Sequence, residues 1–297
     1  MEGEPKTQPN AAAWLPLARR SRRRRWWSIQ PPPAAPRISA LRAYSEVLIV
    51  FAAFFAASVV VGAEALAERY PRPTGSWAIF LPATVSLLGS SVLAVLVVVL
   101  LSARRGITPR SLGFRWPAAR DGKPGASSTA RVAVWAILAL LAGGLATVAL
   151  ANGNALAQPA HKDASYLIYA MAASLTAGVV EETVVLAFVV TTLRQAGRPL
   201  PEVFLVAVAL RCSYHDYYGL GVIGIAVWAA VFVWLFLRTG SVLPLIIVHA
   251  VWDANIFLGQ RWHAVQIGSA LVFLVLLVIA AISWIADLRA RRAQAGI

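Results

Sequence analysis

The chain has 297 residues, 59% of them hydrophobic and 13% charged, with a mean hydropathy of +0.68. A soluble domain carries about 25% charged residues, so this balance excludes an ordinary water-soluble enzyme and points to a polytopic membrane protein. The net charge of +14 does not imply a nucleic-acid partner, because the arginines fall between apolar segments and at the two ends rather than on one basic domain.

Residues 1–42 carry arginines at 19, 20 and 22–25, then Trp26, Trp27 and the run PPPAAPR. No apolar core of a signal peptide is present there; the expectation is a disordered, basic cytoplasmic tail lying along the membrane. A bilayer span needs about 20 apolar residues. Eight runs are read as spans, at 43–66, 77–101, 131–151, 166–193, 201–218, 219–237, 241–258 and 263–286. The expected fold is therefore an all-α bundle of about eight transmembrane helices over residues 43–288, followed by a cytoplasmic tail at 289–297. The 201–218 run is short and its far half is polar (Arg211, Ser213, His215, Asp216), which suits only a helix enclosed by others. Residues 102–129 read as the one long soluble loop, and no internal repeat is evident. The lone cysteine, Cys212, excludes an intramolecular disulfide.

The linkers differ in charge. Residues 102–131 hold Arg104, Arg105, Arg110, Arg115, Arg120, Lys123 and Arg131; Arg194 with Arg198, Arg238, and Arg289, Arg291 and Arg292 follow. The intervening linkers hold only Arg69 and Arg72, Lys162, and Arg261. Assigning the richer set to the cytoplasm predicts that both termini lie inside and that all eight spans alternate.

Glu181 and Glu182 stand side by side within the apolar run Ala170–Val190. A carboxylate at the bilayer centre costs roughly 2.5–3.5 kcal/mol on insertion scales, so the pair needs partners. His215 and His249 lie in two later apolar segments. Glu181 is about 20 Å from the level of Arg194, His215 about 21 Å from Pro201, and His249 at most about 17 Å from Arg238, at 1.5 Å per helical residue. Three segments thus bring polar groups to one depth, while His161 and His263 fall at predicted outer interfaces. On a helix the two glutamates point about 100° apart; one is expected to meet water and substrate, the other a structural neighbour. Ser174, Ala177 and Gly178 would let a neighbouring helix approach closely. His249 and Asp253 share a helix face at i, i+4.

Peptide hydrolysis needs a base for water and donors for an oxyanion, and this set supplies both. The same residues also suit structural glue or a proton or ion path. Two histidines and a glutamate are proper zinc ligands, but no His-Glu-x-x-His pair is present, so zinc has weak support and no cofactor is expected.

These residues resemble the CAAX prenyl protease and bacteriocin-processing family, also called the Abi family of intramembrane glutamic proteases. Its pattern is Glu-Glu-x-x-x-Arg, then Phe-x-x-x-His, then His-x-x-x-Asn or Asp. The matching stretches are Glu181-Glu182-Thr183-Val184-Val185-Leu186, Arg211-Cys212-Ser213-Tyr214-His215 and His249-Ala250-Val251-Trp252-Asp253, within a core of about 166–258. The wording around His215 also looks like bacterial members with arginine in place of the phenylalanine. The resemblance implies that Glu181 and His215 activate the attacking water and that His249 and Asp253 stabilise the oxyanion, with a peptide or membrane-protein substrate in the lipid bilayer. Two positions depart: Leu186 replaces the motif arginine, and Ala187 stands where glycine is common. Glu182 then needs another cation, and Arg211 is the candidate; an inactive scaffold, or an ion carrier, is the alternative.

Overall fold

Inside a bilayer, backbone polar groups must be satisfied within the protein, which leaves helices or closed barrels for the spanning segments. The structure, a computed structural model, describes residues 29, 35–67, 77–117, 126–151 and 164–295, and its regular elements among these are all helical. Most of the basic tail and the linker residues Arg69, Arg72, Arg120, Lys123, His161 and Lys162 lie outside the described residues.

Eight helices follow in order among the described residues. They are α1 (Ala40–Leu66), α2 (Trp77–Ala103), α3 (Ala126–Leu150) and α4 (Ala164–Gln195), then α5 (Leu200–Ser213), α6 (Val222–Thr239), α7 (Leu243–Arg261) and α8 (His263–Ala295). Their boundaries follow local chemistry. Ser39 accepts from the Arg42 backbone N–H at 3.2 Å and caps α1. Pro201 and Pro244 occupy first-turn positions of α5 and α7, where the missing N–H costs nothing. Gly240 ends α6 in the left-handed region (φ 61°), donating its N–H to the Phe236 carbonyl.

Among the described residues, five segments are long and apolar enough to cross a membrane: α1, α2, α3, α4, and α6 with the 3₁₀ turn Asp216–Gly221 that precedes it. The other three of the eight expected spans, α5, α7 and α8, are also helices. α5, at 14 residues, extends about 21 Å against a hydrocarbon core of about 30 Å. Nor is α5 enclosed: Val203, Ala207 and Arg211 form one buried stripe, while Leu205 on another face is exposed.

α4 is the central rod. Val184–Val190 are at most 1% exposed, packed among α1, α2, α5, α6 and α7. Its close neighbour is α7: a Cβ on Gly178 would lie 2.6 Å from the Ile246 carbonyl oxygen and 2.9 Å from the Ala250 nitrogen. On the other side α3 and α6 cross through glycines, with a Cβ on Gly143 falling 2.5 Å from the Gly224 carbonyl oxygen. The cationic linkers gather at one end. Arg105 pairs with Glu46 of α1 at 3.0 Å and donates to Thr192 of α4 at 3.0 Å. Burial lowers the Arg105 pKa, with the Glu46 carboxylate acting in the opposite sense. Arg115 donates to the Gly240 carbonyl at 2.9 Å, and Val242 N–H to Gly113 at 2.9 Å, so part of the expected soluble loop is docked on the α6–α7 turn.

Because backbone lies where a side chain at 178 would go, Gly178→Ala is expected to destabilise the fold by about 1–3 kcal/mol, the usual cost of overpacking. Thermal unfolding in detergent measures this. An unchanged midpoint would contradict the close α4–α7 approach.

Candidate active site

Glu181 and Glu182 lie on the stretch Ala177–Val190 of α4, which is wound as a π-helix. Such i→i+5 winding is often found at functional positions, and it sets successive side chains closer in angle than an α-helix does. The two carboxylates share a neighbour yet differ in environment. Glu182 is fully buried, whereas the Glu181 side chain retains 12% exposure.

The neighbour is Arg211 of α5. Its Nη1 and Nη2 each donate to one Glu182 oxygen at 2.8 Å, a bidentate pair. Nη1 also stands 3.6 Å from Glu181 Oε2. The guanidinium lies over the Trp228 ring of α6, 4.6 Å from its centroid. An unpaired buried charge of either sign would be strongly disfavoured, and the two groups relieve one another.

His249 of α7 completes the clamp on Glu182, its Nδ1–H donating to Oε1 at 2.7 Å. The opposite nitrogen, Nε2, is 3.6 Å from Asp253 Oδ2, within ion-pair reach but too long for a hydrogen bond. The Asp253 side chain is 27% exposed, the most open of the acidic groups in this cluster.

His215 follows the C-terminal end of α5. Its Nδ1 is 2.9 Å from the Arg211 carbonyl oxygen. A carbonyl only accepts, so Nδ1 carries the hydrogen, and in the neutral ring Nε2 is the acceptor. Both histidines flank Trp228, at 5.2 Å for His249 and 6.4 Å for His215 between ring centroids.

The residues anticipated from sequence are brought together: Glu181, Glu182, Arg211 and His249 as one contacting group, Asp253 beside His249, and His215 across the same tryptophan. Two participants were not anticipated. The Tyr214 hydroxyl donates to Glu181 Oε2 at 2.9 Å; its place next to His215 in a polar segment end was the available signal. Trp228, within an otherwise apolar run, carried none. Leu186 sits fully buried in the apolar core. Among the described residues, no group of three His, Cys, Asp or Glu side chains is arranged to hold a metal ion.

Residues 163–255 match the family described as type II CAAX prenyl endopeptidase, Rce1-like, and this segment is a domain of that family. It contains all the residues of the cluster. The family is one of endopeptidases, hydrolases acting on peptide bonds. The search of curated proteins found no match, and neither did the search of solved structures.

Removing one partner of a buried ion pair costs about 3–5 kcal/mol, whereas replacing both by apolar side chains is often near neutral. Arg211→Met is thus expected to destabilise the protein more than Arg211→Met combined with Glu182→Met. Denaturation in detergent tests the ordering; equal or additive losses would mean that the two charges do not depend on one another.

Proposed function

We propose that this Rce1-like domain is an intramembrane endopeptidase in which Glu181 activates water. The observation that carries the reading is the division between adjacent carboxylates. Both Glu182 oxygens are taken by Arg211, with His249 on one of them, whereas Glu181 is partly open and its Oε1 has no hydrogen-bond partner among the described residues. A base must be reachable by the water it deprotonates, and of the two carboxylates only Glu181 combines exposure with an unbonded oxygen.

In this reading Glu181 Oε1 takes a water proton as the water oxygen bonds to the substrate carbonyl carbon. The π pair of the carbonyl moves to its oxygen. Nε2 of His215, bare because the Arg211 carbonyl holds Nδ1–H, orients the water or shares its proton. His249 and Asp253 support the oxyanion. Collapse then breaks the C–N bond, and the proton held by Glu181 passes to the leaving nitrogen. No covalent enzyme intermediate and no cofactor is required. The substrate is a peptide or membrane protein reached within the bilayer.

Asp253 can donate to an oxyanion only when protonated, since an ionised carboxylate offers acceptors alone. We assign it the donor role. Asp253→Asn should then preserve most activity, while Asp253→Ala loses on the order of 10²-fold, the range for one oxyanion-hole donor. A severe loss in the Asn variant with normal folding would make Asp253 an anionic partner of His249 instead.

We further propose that the cationic end of the bundle, with both termini, faces the cytoplasm. Reporter fusions after residue 297 and within 152–165 should give cytoplasmic and external signals respectively; a cytoplasmic signal from the second would overturn this arrangement. For the activity itself, membrane proteomes from cells carrying wild-type or Glu181→Gln protein are compared. Uncut substrates should accumulate in the variant at unchanged protein level, and in a His215→Ala strain as well. Full complementation by both variants would favour a scaffold.

A further inference from the structure

The partial exposure of Glu181 leaves open what holds its carboxylate in one orientation. Two groups meet its Oε2: the Tyr214 hydroxyl at 2.9 Å and Arg211 Nη1 at 3.6 Å. Only the first is within hydrogen-bond distance. A carboxylate gripped at one oxygen presents the other, so Tyr214 decides which oxygen of Glu181 is available.

Tyr214 is itself unusually well held. It is buried, and its ring stacks on Phe55 at 4.3 Å and 15°. Phe55 in turn stacks on Phe51 at 5.1 Å. The Tyr214 ring also meets the His215 imidazole, 4.6 Å between centroids. A ladder of rings therefore runs from α1 to the histidine, with the tyrosine hydroxyl projecting to Glu181. Phe51 and Phe55 lie on α1, about a hundred residues before the matched segment begins at 163. Rings of this kind lose little conformational entropy on ordering, since few torsions are free.

We infer that Tyr214 is a positioning residue for Glu181, fixing Oε2 so that Oε1 faces the water, and that α1 holds Tyr214 in place through Phe55 and Phe51. The site is thus completed by a helix outside the matched domain. This inference rests on the reading of Glu181 as the base, but the contact it names can be measured apart from catalysis.

The measurement is infrared difference spectroscopy on the purified full chain in nanodiscs. Subtracting the Glu181→Gln spectrum from wild type isolates the Glu181 carboxyl band; the same subtraction is made in a Tyr214→Phe background. Tyr214→Phe keeps the stacked ring and removes only the hydroxyl. The band is expected to be displaced in the Phe background, and displaced less in Phe55→Leu, where the hydroxyl remains but its ring is loosened. An unmoved band in Tyr214→Phe overturns the inference. Turnover is followed with a quenched fluorogenic peptide cut by wild type and left intact by Glu181→Gln. Tyr214→Phe should lower kcat by about ten- to a hundredfold with KM unchanged, as for a misplaced reacting group. A raised KM with unchanged kcat overturns the positioning role, because the hydroxyl would then be meeting substrate. If wild type cuts no peptide that Glu181→Gln spares, the proteolytic reading fails, while the band still decides whether Tyr214 holds Glu181.

Discussion

A carboxylate enclosed among apolar helices must be paired, and the pairing of Glu182 with Arg211 is the constraint around which this bundle is arranged. It explains how the Ala177–Val190 stretch of α4, whose other buried positions are apolar except Thr183, can carry a charge with no exposure. It also explains why α5 is short and still has one deeply buried stripe. That stripe ends at Arg211, and the helix stops two residues later, once the guanidinium has reached α4. α7 serves the same centre from the other side. Its approach over Gly178 brings His249 onto the remaining face of Glu182. Three helices therefore converge on one glutamate, and the role left to its neighbour follows by exclusion. Glu182 is engaged in holding the elements together, and the proposed role of Glu181 rests on its unbonded oxygen.

The helical fold and the convergence of the polar groups were legible because both follow from one-dimensional rules. Apolar runs of span length fold as helices in lipid, and 1.5 Å per residue places Glu181, His215 and His249 at one level. Gly178 was also legible, since a small residue beside a charged pair suggests close approach. What could not be read was angular. Treating α4 as an α-helix set the two glutamates about 100° apart and suggested separate neighbours. The π-helical winding instead lets Arg211 reach both, at 2.8 and 3.6 Å. The enclosure expected for α5 failed for a similar reason: polarity at its end required burial of one stripe, not of the whole surface. Trp228 was hidden because a tryptophan in an apolar run is indistinguishable from a lipid-facing or core residue until its neighbours are known.

The aromatic content has a structural logic beyond packing. Trp228 lies against the face of Arg211 and presents itself to both imidazoles. An aromatic ring can satisfy a guanidinium face without competing for its N–H groups. Arg211 thus retains its donors for the carboxylates while its upper surface is covered. The Tyr214 ring does the corresponding work for His215, covering the imidazole while turning its own hydroxyl elsewhere. Polar groups in this site are oriented by hydrogen bonds and sealed by rings, so few donors are left over.

The departure from the family pattern at Leu186 can now be given a physical account. An arginine there would lie one turn from Glu182 on the same helix, in a position that is completely buried among apolar side chains. Glu182 already accepts from Arg211 at both oxygens and from His249 at one, so its charge is compensated from α5 and leucine suits the apolar surroundings of position 186. Supplying the cation from α5 changes more than its address. A pair within one helix would stabilise that helix alone, whereas Arg211 pins the end of α5 to α4, and with it Tyr214 and His215. The same residue uses its side chain to hold Glu182 and its backbone carbonyl to set the hydrogen of His215 on Nδ1. Charge compensation and the orientation of His215 are thereby fixed by one position, which ties the ionic centre to the imidazole through a single turn of chain.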